Sequence, residues 1–242
     1  WGTSNSLFNL QNMYLELLAA TEDGVGAQLV KNKIKNNGEG LMGIVFGTND
    51  LDSLRVKLIN HGYSLSDQSH GEGINAVDDL KRTWINQFLP IELTRGLFSF
   101  IIQHKEGYLP ESKNLDNNFV KKLDHIVIKT NNADSFIEVY NKIFNIRLVL
   151  DKFIETWKRR ILFFRLNKTT IEVIEEKDES EISQDMLWGL AWEVVDINKK
   201  IDKLIVNGMD VSQIKKGVKE NTLVATIKSH THNIPTLLIQ YV

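Results

Sequence analysis

The sequence predicts an α+β fold built from a repeated unit of one strand, one helix and three further strands. Two internal alignments and the composition carry that prediction. "WGTSNSLFNLQNMYLELLAA" (1–20) lies over "WKRRILFFRLNKTTIEVIEE" (157–176) without a gap. Trp1 then meets Trp157, Leu7 meets Phe163, Phe8 meets Phe164, Leu10 meets Leu166 and Glu16 meets Glu172. "GIVFGTNDLDSLRVKLINHG" (43–62) lies over "GLAWEVVDINKKIDKLIVNG" (189–208) in the same way. Hydrophobic residues at 42% and charged residues at 25% are those of a globular chain, and 242 residues suffice for two domains.

Taken in order, residues 1–20 read as two short strands joined by a polar turn at Asn9 to Asn12, the counterpart of Arg165 to Lys168. They are the last two strands of a first unit. The second unit covers about 40–105. Its opening apolar strand passes Asp50, a helix cap, into an amphipathic helix carrying Leu51, Leu54 and Leu58, which ends on Gly62. The fourth unit, about 186–242, repeats this with Asp196, then Ile197, Ile201 and Leu204, then Gly208. The third unit, about 119–177, starts on "HIVIKTNNADSF", which aligns with "GIVFGTNDLDSL". That match puts Thr130 on Thr48, Asp134 on Asp52 and His125 on Gly43, and the third helix buries Phe136, Tyr140 and Ile143. The late strands "FSFIIQH" (98–104) and "PTLLIQY" (235–241) place Gln103 on Gln240. Polar "KEGYLPESKNLDNN" (105–118) reads as a linker. The predicted division is 1–105, a paired-unit domain with an incomplete first unit; 106–118, a linker; and 119–242, a second paired-unit domain.

Charge and composition exclude several function classes. With 29 basic against 31 acidic residues the formal net charge is −2, which gives no field for nucleic acid or an anionic membrane. No apolar run approaches the roughly 20 residues of a membrane span. The absence of cysteine rules out disulfides, thiolate zinc sites and cysteine nucleophiles, and fits a cytoplasmic protein. The opening Trp1 suggests a segment upstream. No nucleophile elbow, P-loop or dinucleotide fingerprint occurs.

His125 stands out within "LDHIVIKT" (123–130), an otherwise apolar strand. Strand alternation puts it on the face of Leu123 and Val127, where an imidazole needs a partner. It is either a hydrogen-bonded structural histidine or a ligand. Glu172 in "TTIEVIE" is an equally expensive choice among isoleucine and valine, unless it pairs with Arg160 or Arg165.

The repeated organisation, with "WGTSNSLFNLQNMYLELLA" and "LDHIVIKT", resembles the vicinal oxygen chelate superfamily, and within it the glyoxalase-like members. That superfamily includes glyoxalase I, extradiol ring-cleaving dioxygenases and bleomycin-resistance binding proteins. The resemblance implies tandem βαβββ modules that pair into curved, half-open mixed β-sheet barrels with helices outside. It implies a metal ligand on a unit's first strand, where His125 stands, and one on its last strand, where Glu172 stands. In the fourth unit Gly189 and Gln240 occupy the positions of a second His and a second Glu. Two His and a carboxylate therefore cannot be assembled, and extradiol dioxygenase chemistry is disfavoured. His125, Glu172 and Gln240 remain as a three-ligand face for a divalent ion: zinc, nickel, manganese or iron. Glu16 and Gln103 are the remnant of a second site in the first two units.

The expected function is a metal-dependent lyase or isomerase acting on a small oxygen-rich molecule, with Glu172 as base. The alternative is a metal-free protein that sequesters a small ligand, with the glycines at 43 and 189 leaving volume in the cleft. Expected partners are a small molecule and, at most, a second copy in a homodimer. Arg160 in "WKRR" is either an anion clamp or part of a charged strand edge. Trp192, with Trp188, either walls an aromatic pocket or packs in the core. "SHTHN" (229–233) is either a metal site at His230 and His232 or a polar loop, and "HGEG" (70–73) reads as a glycine-rich turn.

Overall fold

In the computed structural model, residues 1–75, 79–107, 120–176 and 184–242 are described. Most of the predicted linker, residues 108–118, lies outside them. The chain begins with the hairpin β1 (Thr3–Asn9) and β2 (Tyr14–Ala20), followed by helix α1 (Val25–Asn37). The hairpin pairs Leu7 with Glu16, the register in which Phe163 pairs with Glu172, so the gapless alignment of these segments matches their geometry. Helix α1 was not expected. Its apolar residues are sparse, and it buries only a short stripe that includes Ala27 and Val30.

The second unit runs β3 (Ile44–Gly47), α2 (Leu51–Asn60), β4 (Ser69–Ile74), β5 (Lys81–Phe88), the short α3 (Ile91–Thr94) and β6 (Ser99–Glu106). The third runs β7 (Val120–Thr130), α4 (Ala133–Ile137, continued as a π-helical turn through Ile143), β8 (Arg147–Ile154), β9 (Arg159–Leu166) and β10 (Thr169–Glu175). The fourth runs β11 (Met186–Val194), α5 (Ile197–Val206), β12 (Lys215–Lys216), β13 (Thr222–Ile227) and β14 (Thr236–Tyr241). All three have one strand order: β3-β6-β5-β4, β7-β10-β9-β8 and β11-β14-β13-β12. Units three and four join through antiparallel pairing of β7 with β11 into one eight-stranded sheet. "HGEG" is therefore strand, not turn. Its Gly71 is required because the Trp84 indole lies so close that an added Cβ would stand 2.2 Å from Nε1.

The helices form where caps and apolar spacing coincide. Asp50, Asn132 and Asp196 each accept a hydrogen bond from the backbone N–H three residues on. Gly62 and Gly208 follow helices α2 and α5 with φ of +87° and +80°. One core crosses between units: Phe46, Leu51 and Leu58 of unit two pack with Leu123, Phe136 and Tyr140 of unit three. Phe136 stacks on Tyr140 at 4.0 Å, and Phe46 lies 6.1 Å from the same ring. A smaller core under α5 holds Ile197, Ile201, Ala225 and Leu238.

Two polar clamps tie the amino-terminal part to the eight-stranded sheet. Asn12 mimics a neighbouring strand: its amide donates to the Leu123 carbonyl at 2.9 Å and accepts from the Leu123 N–H at 3.3 Å. Arg95, left-handed at φ +54°, reaches from the end of α3 into unit three. Its Nε meets the Asp185 carboxylate at 3.1 Å, and its two terminal nitrogens donate to Ser135 Oγ and Asn131 Oδ1 at 2.9 and 2.8 Å. Asp185 also accepts from the Thr130 hydroxyl at 2.6 Å, and its side chain is wholly buried.

Candidate functional site

Strand β7 carries the site, and a β-bulge sets its geometry. His125 pairs with Ala191 and Leu123 with the next residue, Trp192, so Asp124 is the extra residue. The bulge sends Leu123 to the helix side, where it joins the core, while His125 faces the concave side with Val127. Asp124 is thereby placed beside its own neighbour. Its carboxylate accepts from His125 Nδ1 at 2.9 Å and from the Tyr241 hydroxyl at 2.6 Å. Because an ionised carboxylate only accepts, Nδ1 carries the ring hydrogen of neutral His125, leaving the Nε2 lone pair free. That lone pair faces Glu172 on the adjoining strand β10, with Nε2 3.6 Å from Oε2. The His125 and Glu172 side chains are 19% and 18% exposed, so the pair is sheltered yet open to a small molecule.

The electrostatics follow from these contacts. Burial pushes the Glu172 carboxyl above its ordinary range; His125 opposes the shift only when its ring is protonated, and the Asp124 charge adds to it. Burial also acts upward on Asp124, but the hydrogen bonds from His125 and Tyr241 outweigh it and hold the carboxyl at about 2. Since the folded value is depressed, Asp124 stabilises the fold above the unfolded carboxyl's value of 3.8, by about 2 kcal/mol. That contribution is lost as pH falls through about 2. Asp124→Asn is expected to flatten this limb of an acid-unfolding curve; an unchanged limb would assign it to other carboxylates.

Two opposed lone-pair acceptors suit a cation between them. Ligands bound at about 2.1 Å to one ion stand about 3.0–3.6 Å apart, which His125 and Glu172 satisfy. Asp124 on Nδ1 stands where an outer partner would orient a metal-binding imidazole. Among the described residues no group of three His, Asp or Glu is arranged to hold a metal. The pair therefore fits an open site in which solvent or substrate oxygens complete the shell.

The other predicted residues lie elsewhere. Gln240 is on the helix face of β14: its Oε1 accepts from Ile197 N at 2.8 Å, at the start of α5. Gln103 does the same for Leu51 at 3.2 Å. The third-unit counterpart of both is Glu175, which accepts from Ala133 N at 2.9 Å. In register, Thr170 beside His125 corresponds to Pro235 and Phe98 beside the glycines 189 and 43. Glu172 thus corresponds to Leu237 and Phe100, three residues before the glutamines. The ligand face His125, Glu172 and Gln240 is not assembled. Gln240→Leu is expected to cost about 1 kcal/mol in denaturant unfolding, from the freed helix N–H, while leaving ligand binding on the concave face intact; lost binding would return Gln240 to the site.

Arg160 also lies on the helix face, forked onto Asp151 at 2.8 and 2.7 Å and bonded to Asp134 at 2.8 Å, so it is not an anion clamp. Trp192 packs against both cores rather than walling a pocket. Glu16 is exposed on the hairpin and accepts from Asn5 at 2.7 Å. The glycines do not leave volume: a Cβ on Gly43 would stand 2.6 Å from the Phe98 ring, and one on Gly189 2.9 Å from the Pro235 carbonyl. His232 bonds to Glu39 at 2.6 Å and His230 to Ser229 at 2.9 Å. Asp124 and Tyr241 escaped sequence reasoning, because regular alternation would put Asp124 on the face opposite His125.

Residues 1–144 match the family profile described as "Glyoxalase-like domain", which is more than half of the chain. The chain belongs to the glyoxalase-like domain family. Residues 124–226 of this glyoxalase-like chain also match the profile "Glyoxalase/Bleomycin resistance protein/Dioxygenase superfamily", so the broader group covers the His125 and Glu172 strands. No curated protein matches the sequence. Among solved structures it is similar to methylmalonyl-CoA epimerase from Mycobacterium tuberculosis, at 19% identity over 53% of this chain and 93% of that one, with a TM-score of 0.44. It is similar also to the Streptomyces coelicolor methylmalonyl-CoA epimerase in complex with 2-nitronate-propionyl-CoA, at 14% identity over 51% and 99%, TM-score 0.42. A hypothetical protein from Bacillus halodurans matches at 17% identity over 50% and 94%, TM-score 0.42. Among the described residues no helix is long and apolar enough to cross a membrane.

Proposed function

We propose that this glyoxalase-like protein is a divalent-metal-dependent lyase or isomerase whose site is the concave face around His125 and Glu172. The observation that carries the reading is the opposed pair itself, His125 Nε2 and Glu172 Oε2 at 3.6 Å, with Asp124 fixing the imidazole from behind. His125 and Glu172 would hold the ion, and the substrate's neighbouring oxygens would complete its shell. When bound, the ion supplies Lewis-acid polarisation of those oxygens. Glu172, its pKa raised by burial, is suited to take a proton from carbon beside a polarised carbonyl and to return it. Asp124 keeps Nδ1 protonated, so Nε2 stays available as a donor of its lone pair. The apolar neighbours Val127 and Ala191 exclude water from the floor. Membership of the cytoplasmic pool and assembly as a homodimer belong to the same proposal.

A metal-free ligand-binding protein is the second reading, favoured by the presence of two donors rather than three among the described residues. Elemental mass spectrometry of tag-free protein, wild type beside His125→Ala, separates them. Near-stoichiometric metal that disappears in the variant supports the enzyme. No metal in either protein after supplementation with zinc, nickel, manganese and iron would leave the binding protein.

A further inference from the structure

The strand pairings set six residues in one row across the concave face of the eight-stranded sheet. Arg147 on β8 pairs with Arg165 on β9, Arg165 with Thr170 on β10, and Thr170 with His125 on β7; Ala191 and Leu237 continue the row. Directly paired residues share a face, so both arginines lie on the side of His125 and Glu172. At about 4.8 Å per strand, their Cα atoms stand roughly 10 and 14 Å from that of His125, within reach of long side chains bending inward.

Two arginines opposite one another repel, and natural sheets normally place a carboxylate between such charges. Among the described residues no carboxylate stands between these two, and Glu172 on the same face is directed to His125. The neighbouring arginines of β9 are neutralised, Arg160 by Asp151 and Asp134 and Arg159 by Glu176. Arg165 instead donates to the uncharged Thr170 hydroxyl at 2.6 Å, and among the described residues neither Arg147 nor Arg165 forms an ion pair. A solvated strand edge accounts for one such arginine. It does not account for two in direct register, in line with the candidate site and without an ion-pair partner among the described residues.

We propose that Arg147 and Arg165 form an oxyanion subsite, and that the substrate is a small organic anion. Its neighbouring oxygens lie at His125 and Glu172 and its phosphate or carboxylate lies between the guanidinium groups. This rests on the function proposed above and adds the substrate class. Planar guanidinium groups take either oxyanion through paired N–H donors, so the two sources share one recognition chemistry.

Calorimetric titration with three probes tests it: glycerol 3-phosphate, glycerate and glycerol, which carry neighbouring oxygens with a phosphate, a carboxylate or no charge. The metal-supplemented wild type is compared with Arg147→Gln/Arg165→Gln and with His125→Ala. At least one anion is expected to bind about tenfold or more tighter than glycerol, and the double arginine variant to erase that difference while its circular dichroism stays native. The tighter anion names the head group. Equal binding of all three probes, or anion binding unchanged in the double variant, overturns the subsite and leaves the His125–Glu172 function standing. Anion binding lost in the arginine variant but unaffected by His125→Ala separates the subsite from that function and overturns their joint use. Failure of every probe to bind overturns the inference.

Discussion

Arg95→Ala is expected to destabilise the protein by about 3–5 kcal/mol, the usual result of removing one partner from a buried ion pair. The variant would strand the fully buried Asp185 carboxylate, to which, among the described residues, the Thr130 hydroxyl alone would remain bonded. It would also remove the bonds that Arg95 donates to Ser135 and Asn131 at the start of α4. Arg95→Lys should rescue little, because a single ammonium nitrogen cannot stand at the three separate positions from which Nε and the two terminal nitrogens reach Asp185, Ser135 and Asn131. Chemical denaturation followed by both circular dichroism and tryptophan fluorescence measures the loss. If unit two is held mainly by this clamp, the two probes also separate in the variant. A loss under about 1 kcal/mol would mean that the shared core around Phe46 and Tyr140 holds the units together unaided.

The second large effect is on metal retention. His125→Ala removes one of the two proposed protein donors and is expected to abolish measurable binding. Asp124→Asn leaves both donors but withdraws the carboxylate behind the ring, and outer partners of this type are worth 10- to 100-fold in affinity. Titration of chelator-stripped protein with zinc orders the variants: wild type, then Asp124→Asn, then His125→Ala. Equal affinity in Asp124→Asn and wild type would make Asp124 a structural carboxylate that serves Tyr241 alone.

Much of the fold was legible because its signals are local. The caps Asp50 and Asp196, the glycines 62 and 208 and the two strands of the opening hairpin follow from residue type and spacing. His125 and Glu172 were legible because polar groups on apolar strands are costly enough to need a reason. Gln240 misled for a physical reason. It is a true counterpart of Gln103, but the shared task is to bind a helix N-terminus, and the third unit gives that task to Glu175, not Glu172. Arg160 misled because its carboxylate partners, Asp151 and Asp134, come from other elements. The bulge at Asp124 depends on the pairing of β7 with β11 and is invisible in either strand alone.

Nitrogen-15 spectroscopy of the histidine rings during zinc titration tests the central claim most directly. The account predicts that His125 begins as the Nδ1–H tautomer, that its Nε2 resonance moves on saturation, and that Nδ1 keeps its hydrogen throughout. An Nε2 resonance unmoved at saturating zinc, or a His125 ring protonated on Nε2 before the addition, would contradict it.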